Sequence, residues 1–84
     1  MATSPRILLV DDEPDLLDLM ELTLVKMGLE TDRAVSVAEA QARLQQTHYD
    51  LCLTDMRLTD GEGLDVIACA SALALPVPVA VITA

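Results

Sequence analysis

Eighty-four residues allow one small domain, and 52% hydrophobic content with three Gly and four Pro excludes a disordered chain. A formal charge of −9 disfavours direct nucleic-acid contact by this segment, because phosphates call for Lys and Arg. Tyr49 is the one aromatic residue, so the core is expected to be aliphatic.

Arg6 to Val10 is rich in Leu and β-branched residues without alternation, which predicts a strand buried on both faces, as in a parallel sheet. Asp11-Asp12-Glu13-Pro14 then opens a helix: Pro suits the first helical position and the acids complement the positive end of the helix dipole. Leu16, Met20, Leu24 and Met27 recur at helical spacing as its inner face, Leu17 widens that face, and Gly28 is the expected C-terminal cap. Leu19, Leu22 and Val25 project from the other side and call for a second packing partner that nothing later in the chain supplies.

Glu30 to Ala34 reads as a polar edge strand. Ser36-Val37-Ala38-Glu39 has the form of a capping box, with Val37, Ala40 and Leu44 facing inward and His48 and Tyr49 closing the helix. His48 has no partner at metal-ligand spacing and reads as a surface residue. Asp50 to Thr54 is the expected central strand, followed by a loop over Met56 to Glu62 and a third helix from Gly63 to Leu73 with Leu64, Ile67, Ala68 and Ser71 inward. Pro76 and Pro78 turn the chain into a last buried strand, Val79 to Ile82.

Strand and helix alternate throughout, which predicts an α/β fold: a doubly wound parallel sheet with right-handed crossovers and helices on both faces. Residues Val66 to Ala84 carry no charge and reach the length of a membrane span, but Pro76 and Pro78 would break such a helix, so no membrane insertion is expected. Cys52 and Cys69 are too few and too far apart for a disulfide framework and read as inert buried thiols, in keeping with a reducing cytoplasm. Met1 to Pro5 leads straight into the first strand, and no signal peptide is expected. Charges such as Asp18, Glu21 and Asp32 read as ordinary solubility devices.

Three apolar runs end in oxygen-bearing side chains: Ile7–Val10 in Asp11 and Asp12, Leu51–Thr54 in Asp55, and Val79–Ile82 in Thr83. Ligands of open α/β sheets gather at the carboxyl ends of the strands, so these residues are expected to converge on one site. Carboxylates brought together repel, and a hard divalent cation is the remedy; Mg2+ prefers a couple of carboxylates with water, carbonyl and phosphate oxygens completing its shell. One Asp of such a cluster can act as a nucleophile towards phosphorus while the metal neutralises charge on the phosphoryl group. Other phosphate chemistries fail on spacing. There is no GxGxxG or Walker loop, Arg57 and Thr59 stand where an EF-hand needs oxygen ligands, and Arg57 replaces the second Asp of a haloacid-dehalogenase phosphatase.

The pieces Leu8-Leu9-Val10-Asp11-Asp12-Glu13-Pro14, Asp50-Leu51-Cys52-Leu53-Thr54-Asp55-Met56-Arg57-Leu58 with Gly63 eight residues past Asp55, and Val81-Ile82-Thr83-Ala84 together resemble receiver domains of two-component response regulators. The wording around Asp55 is most similar to regulators of the NtrC type, particularly those controlling type IV pilus genes. The resemblance implies a flavodoxin-like sheet of order 2-1-3-4, with a fifth strand and the last two helices beyond the present chain. It also implies phosphoryl transfer from a sensor histidine kinase to Asp55, Mg2+ bound by Asp11, Asp12, Asp55 and the backbone carbonyl of Arg57, and Thr83 as a switch hydroxyl to which small Ala84 leaves access.

Two departures stand out: family members usually carry Pro at the position of Thr59, and the family's Lys at the end of the fifth strand lies beyond residue 84. The expected whole is a phosphorelay module controlling an output such as transcription, through ATPase and DNA-binding domains that NtrC-type regulators carry downstream. Residues 1–84 would then be the N-terminal part of a single receiver domain, whose bare first helix and last strand favour self-association. The alternative is a receiver acting only as a protein-interaction module, without phosphorylation. A Mg2+-dependent phosphohydrolase ranks lower, because no general acid accompanies the carboxylates.

Overall fold

The apolar runs pair as their patterning requires. In a computed structural model that describes residues 4–82, the element order is β1 (Arg6–Val10), α1 (Pro14–Lys26), β2 (Glu30–Ala34), α2 (Val37–Gln46), β3 (Leu51–Asp55), β4 (Arg57–Leu58), β5 (Gly61–Glu62), α3 (Gly63–Ala72) and β6 (Val79–Ile82). Four strands form one parallel sheet in the order β2-β1-β3-β6. This is the predicted 2-1-3-4 order, the last strand being sixth only because two short strands intervene.

Those short strands correct the expected plain loop. Arg57 pairs with Glu62 and Leu58 with Gly61, so the segment after Asp55 is a small antiparallel hairpin anchored by buried Leu58. Two residues per strand are too few to register as alternation in a sequence.

β1 lies between β2 and β3 and is buried on both faces. Its alternate side chains feed two cores, as the two-residue period of a strand dictates. Ile7 and Leu9 pack with Leu17, Met20, Leu24, Leu29, Leu51 and Leu53 on the α1 side. Leu8 and Val10 pack with residues of α2 and α3, together with Tyr49 and Cys52, on the other.

The inner face of α1 is narrower than the sequence predicts. Leu17 is fully buried with Met20 and Leu24 half-buried beside it, while Leu16 and Met27 are exposed. Leu19, Leu22 and Val25 are exposed as expected. Gly28 ends this helix in the left-handed region, at φ +84, its N–H donating to Val25 O at 3.0 Å and that of Leu29 to Leu24 O at 3.1 Å.

α3 is rotated from its predicted phase: Gly63, Val66 and Ala70 are buried and Leu64 is exposed. Contact at Gly63 sets this phase, as described below. β6 is half-buried rather than buried, with Val79 and Val81 inward and Ala80 and Ile82 exposed.

Tyr49 does not close α2, which stops at Gln46; it is buried in the core, and its hydroxyl donates to Asp32 Oδ2 at 2.7 Å. Asp32 also takes Arg6 Nη1 at 3.2 Å, so this carboxylate ties β2 to the start of β1 rather than serving as a free surface charge. Asp18 likewise pairs with Arg33, and Glu21 accepts from the Thr31 hydroxyl at 3.0 Å. Cys52 is buried and free, its thiol pushed up to about 12 by burial; Cys69 is free and half-buried. Among the described residues no helix is long and apolar enough to cross a membrane.

Candidate phosphoacceptor site

The direction of chain progress reverses between β1 and β3, whose crossovers leave to opposite faces, and a crevice opens at their carboxyl ends. Val10 is in register with Thr54, so the residues that follow these two are neighbours. Asp11 extends the ladder by donating its N–H to Ala34 O at 3.1 Å, Asp12 comes next, and Asp55 is the last residue of β3. Carboxylate oxygens of Asp11, Asp12 and Asp55 all lie within 4.8 Å of one another.

The three acids differ in surroundings. Asp11 is buried, Asp55 half-buried and Asp12 exposed. Burial raises the Asp11 carboxyl above its usual range, and the neighbouring Asp55 and Asp12 charges add to the rise, against a lowering hydrogen bond from the Glu13 N–H at 2.9 Å. Asp55 Oδ1 accepts from the Met56 N–H at 2.8 Å, a bond from its own turn that fixes the side chain and leaves Oδ2 for other work. Charges at this separation repel by on the order of 1–3 kcal/mol per pair, depending on screening. The donor set is purely carboxylate oxygen, which suits a hard cation such as Mg2+ and not zinc or copper.

Two glycine-governed approaches shape the floor. A Cβ on Gly63 would collide with the backbone carbonyl oxygen of Asp55 and press on Thr54 Cγ2 at 3.2 Å, so only glycine lets α3 start this close to β3. The Gly63 N–H donates to Met56 O at 2.8 Å, closing the hairpin against Asp55. Asp65 Oδ2 accepts from the Glu62 N–H at 2.8 Å and secures the start of α3.

The hairpin is held from outside as well. Asp60 accepts from the N–H groups of Val37 at 2.7 Å and Ala38 at 3.0 Å, and these bonds lower its carboxyl. Ser36 Oγ accepts from the Glu39 N–H at 3.1 Å, as the capping pattern predicts. Asp60 therefore caps α2 from across the fold, a role that no local motif announces. Thr59 Oγ1 donates to Asp12 Oδ2 at 3.2 Å, also unforeseen from the sequence.

Asp11, Asp12 and Asp55 are thus brought together. Arg57 opens the hairpin two residues beyond Asp55, exposed and in register with Glu62. Ile82 pairs with Asp55 at the end of β6, and the expected switch hydroxyl Thr83, with Ala84, lies outside the described residues.

The sequence matches the response regulator receiver domain family over residues 7–84. The chain belongs to that family. It is 51% identical over 77 residues to the response regulator protein PilR of Pseudomonas aeruginosa, covering 92% of this chain and 17% of that one. It is 44% identical over 63 residues to the alginate biosynthesis transcriptional regulatory protein AlgB of Pseudomonas putida, covering 75% of this chain and 14% of that one. These likenesses agree with the NtrC-type resemblance, and the chain spans only a small part of the length of these curated relatives.

Among solved structures, the response regulator TrrA of Thermotoga maritima, in complex with Mg2+-BeF, superposes with a TM-score of 0.88 at 30% identity, over 94% of this chain and 69% of that one. The receiver is a signalling module of two-component systems, and its flavodoxin-like α/β architecture is the one predicted.

Proposed function

We propose that this receiver accepts a phosphoryl group on Asp55 from the phosphohistidine of a sensor histidine kinase. The observation that carries the reading is the meeting of Asp11, Asp12 and Asp55 within 4.8 Å at the carboxyl ends of β1 and β3. A carboxylate oxygen of Asp55 attacks phosphorus, the P–N bond to the kinase imidazole breaks, and the imidazole leaves with the electron pair. The Met56 N–H holds Oδ1, so Oδ2 is the oxygen presented for attack. Asp11 and Asp12, with Asp55 and the Arg57 backbone carbonyl, are the residues to hold Mg2+. The cation supplies neutralisation of phosphoryl charge during transfer. Thr83 would hydrogen-bond the new phosphoryl oxygens.

In this reading residues 1–84 form the N-terminal part of a single receiver domain, in keeping with their 69% coverage of the TrrA chain. The module works in the cytoplasm as a switch rather than a turnover enzyme, and in the whole protein it controls an output, transcription by analogy with the transcriptional regulatory protein AlgB. The exposed Leu19, Leu22 and Val25 support self-association.

Incubation with Mg2+ and a small-molecule phosphodonor, followed by intact mass measurement, tests the reading. One added phosphoryl group, absent from Asp55→Asn, is expected. Saturable Mg2+ binding without any added group would favour the interaction-module alternative.

A further inference from the structure

The hairpin after Asp55 reaches back to the segment after β1 through one side chain. Thr59 Oγ1 donates to Asp12 Oδ2 at 3.2 Å. Among the described residues it is the one side-chain donor to any of the three clustered carboxylates; the other hydrogen bonds they accept come from backbone N–H groups, such as those of Glu13 and Met56. The pattern this chain otherwise resembles usually has Pro there, which offers no hydroxyl.

Thr59 is exposed, yet its backbone is fixed on both sides. Leu58 before it is buried and paired with Gly61, and Asp60 after it is bonded to the N–H groups of Val37 and Ala38. The hydroxyl is therefore delivered by a braced turn. Asp12, by contrast, is the most exposed of the three acids and accepts no other hydrogen bond among the described residues. A carboxylate has two oxygens with spare lone pairs, so one can stay bonded to a hydroxyl while the other ligates a cation.

We propose that Thr59 is a positioning residue for the cation site: its hydroxyl holds the Asp12 carboxylate in the orientation in which it meets Asp11 and Asp55. The proposal rests on the Mg2+ reading above. Removing an outer partner of a metal ligand weakens metal binding by about tenfold or more, and an exposed partner belongs at the lower end.

Calorimetric Mg2+ titration of the full chain tests it, with Thr59→Val, Thr59→Ala, Thr59→Ser and Asp12→Asn compared. Both variants lacking the hydroxyl should bind Mg2+ about tenfold more weakly, whereas Thr59→Ser should stay within about twofold of the native chain. Rescue by Ser separates the hydroxyl from general loop packing, and far-UV circular dichroism without Mg2+ reports that each variant is folded. Native-like affinity in Thr59→Val and Thr59→Ala overturns the role of Thr59 and leaves the cation site standing. Equal losses in all three Thr59 variants overturn it too, since the hydroxyl is then not the agent. If the native chain and Asp12→Asn alike bind no Mg2+, the cation site itself fails and the proposal falls with it.

Discussion

Gly63 abuts the backbone carbonyl of Asp55 so closely that a single added carbon would overlap it. The contact joins the first residue of α3 to the last residue of β3, and it fixes the phase of the helix: Gly63, Val66 and Ala70 fall on one line against the sheet. Gly63→Ala should therefore destabilise the fold by about 1–3 kcal/mol through overpacking. In a chain of this size that lowers the melting temperature by roughly 4–8 °C per kcal/mol. Thermal unfolding followed by circular dichroism measures it, and a native-like melt for Gly63→Ala would contradict the packing described.

Asp11 carries an electrostatic cost in the metal-free protein. Its carboxyl titrates above 3.8 in the fold, from burial first and from Asp55 and Asp12 second. The native state then binds its proton more tightly than the unfolded chain does, so stability from this group is present at low pH and is lost as pH rises from 3.8 through the raised value. Two outcomes follow at neutral pH. Asp11→Asn should melt higher than the native chain without Mg2+, and saturating Mg2+ should raise the native melt while moving that of Asp11→Asn much less. Unchanged native melting on adding Mg2+ would count against a cation at this cluster.

Tyr49 gives an alkaline counterpart. Burial, then the bond to Asp32, pushes its hydroxyl up to about 12 from 10.0. The folded state holds this proton more tightly, so the stabilisation is whole below pH 10 and fades as pH climbs towards 12. The chain has one Tyr and no Trp, which makes the tyrosinate absorbance band an unobscured reporter. Its midpoint should lie well above 10 and coincide with loss of helical signal; free titration near 10 in the folded protein would contradict the burial.

How much of this was legible in the sequence follows from what each residue's role depends on. Three of the four main strands could be read because strands of a parallel sheet show as unbroken apolar runs, two of them running into carboxylates, as Val10 does before Asp11 and Thr54 before Asp55. β2 shows only as a polar edge strand, and the strand order is what the family resemblance implies. The phase of α3 could not. Leu64 is the larger apolar residue, but the fit of Gly63 against Asp55 turns Leu64 outward, and a steric fit leaves no hydrophobic trace. Tyr49 and Asp32 meet across a separation of seventeen positions, and Asp60 caps a helix twenty-two residues upstream. Such partners are set by tertiary geometry alone. Thr59 reads as a departure from a proline pattern until the distance to Asp12 is seen.

The central claim is that Asp55 is the phosphoacceptor and needs the neighbouring acids with their cation. Locating the phosphoryl group tests it most directly: treat the chain with Mg2+ and a small phosphodonor, reduce the acyl phosphate with borohydride, and find the resulting homoserine by tandem mass spectrometry. The account predicts homoserine at position 55 alone, lost when Mg2+ is chelated and lost in Asp12→Asn. Homoserine at another carboxylate, or undiminished labelling at position 55 without Mg2+, would contradict it.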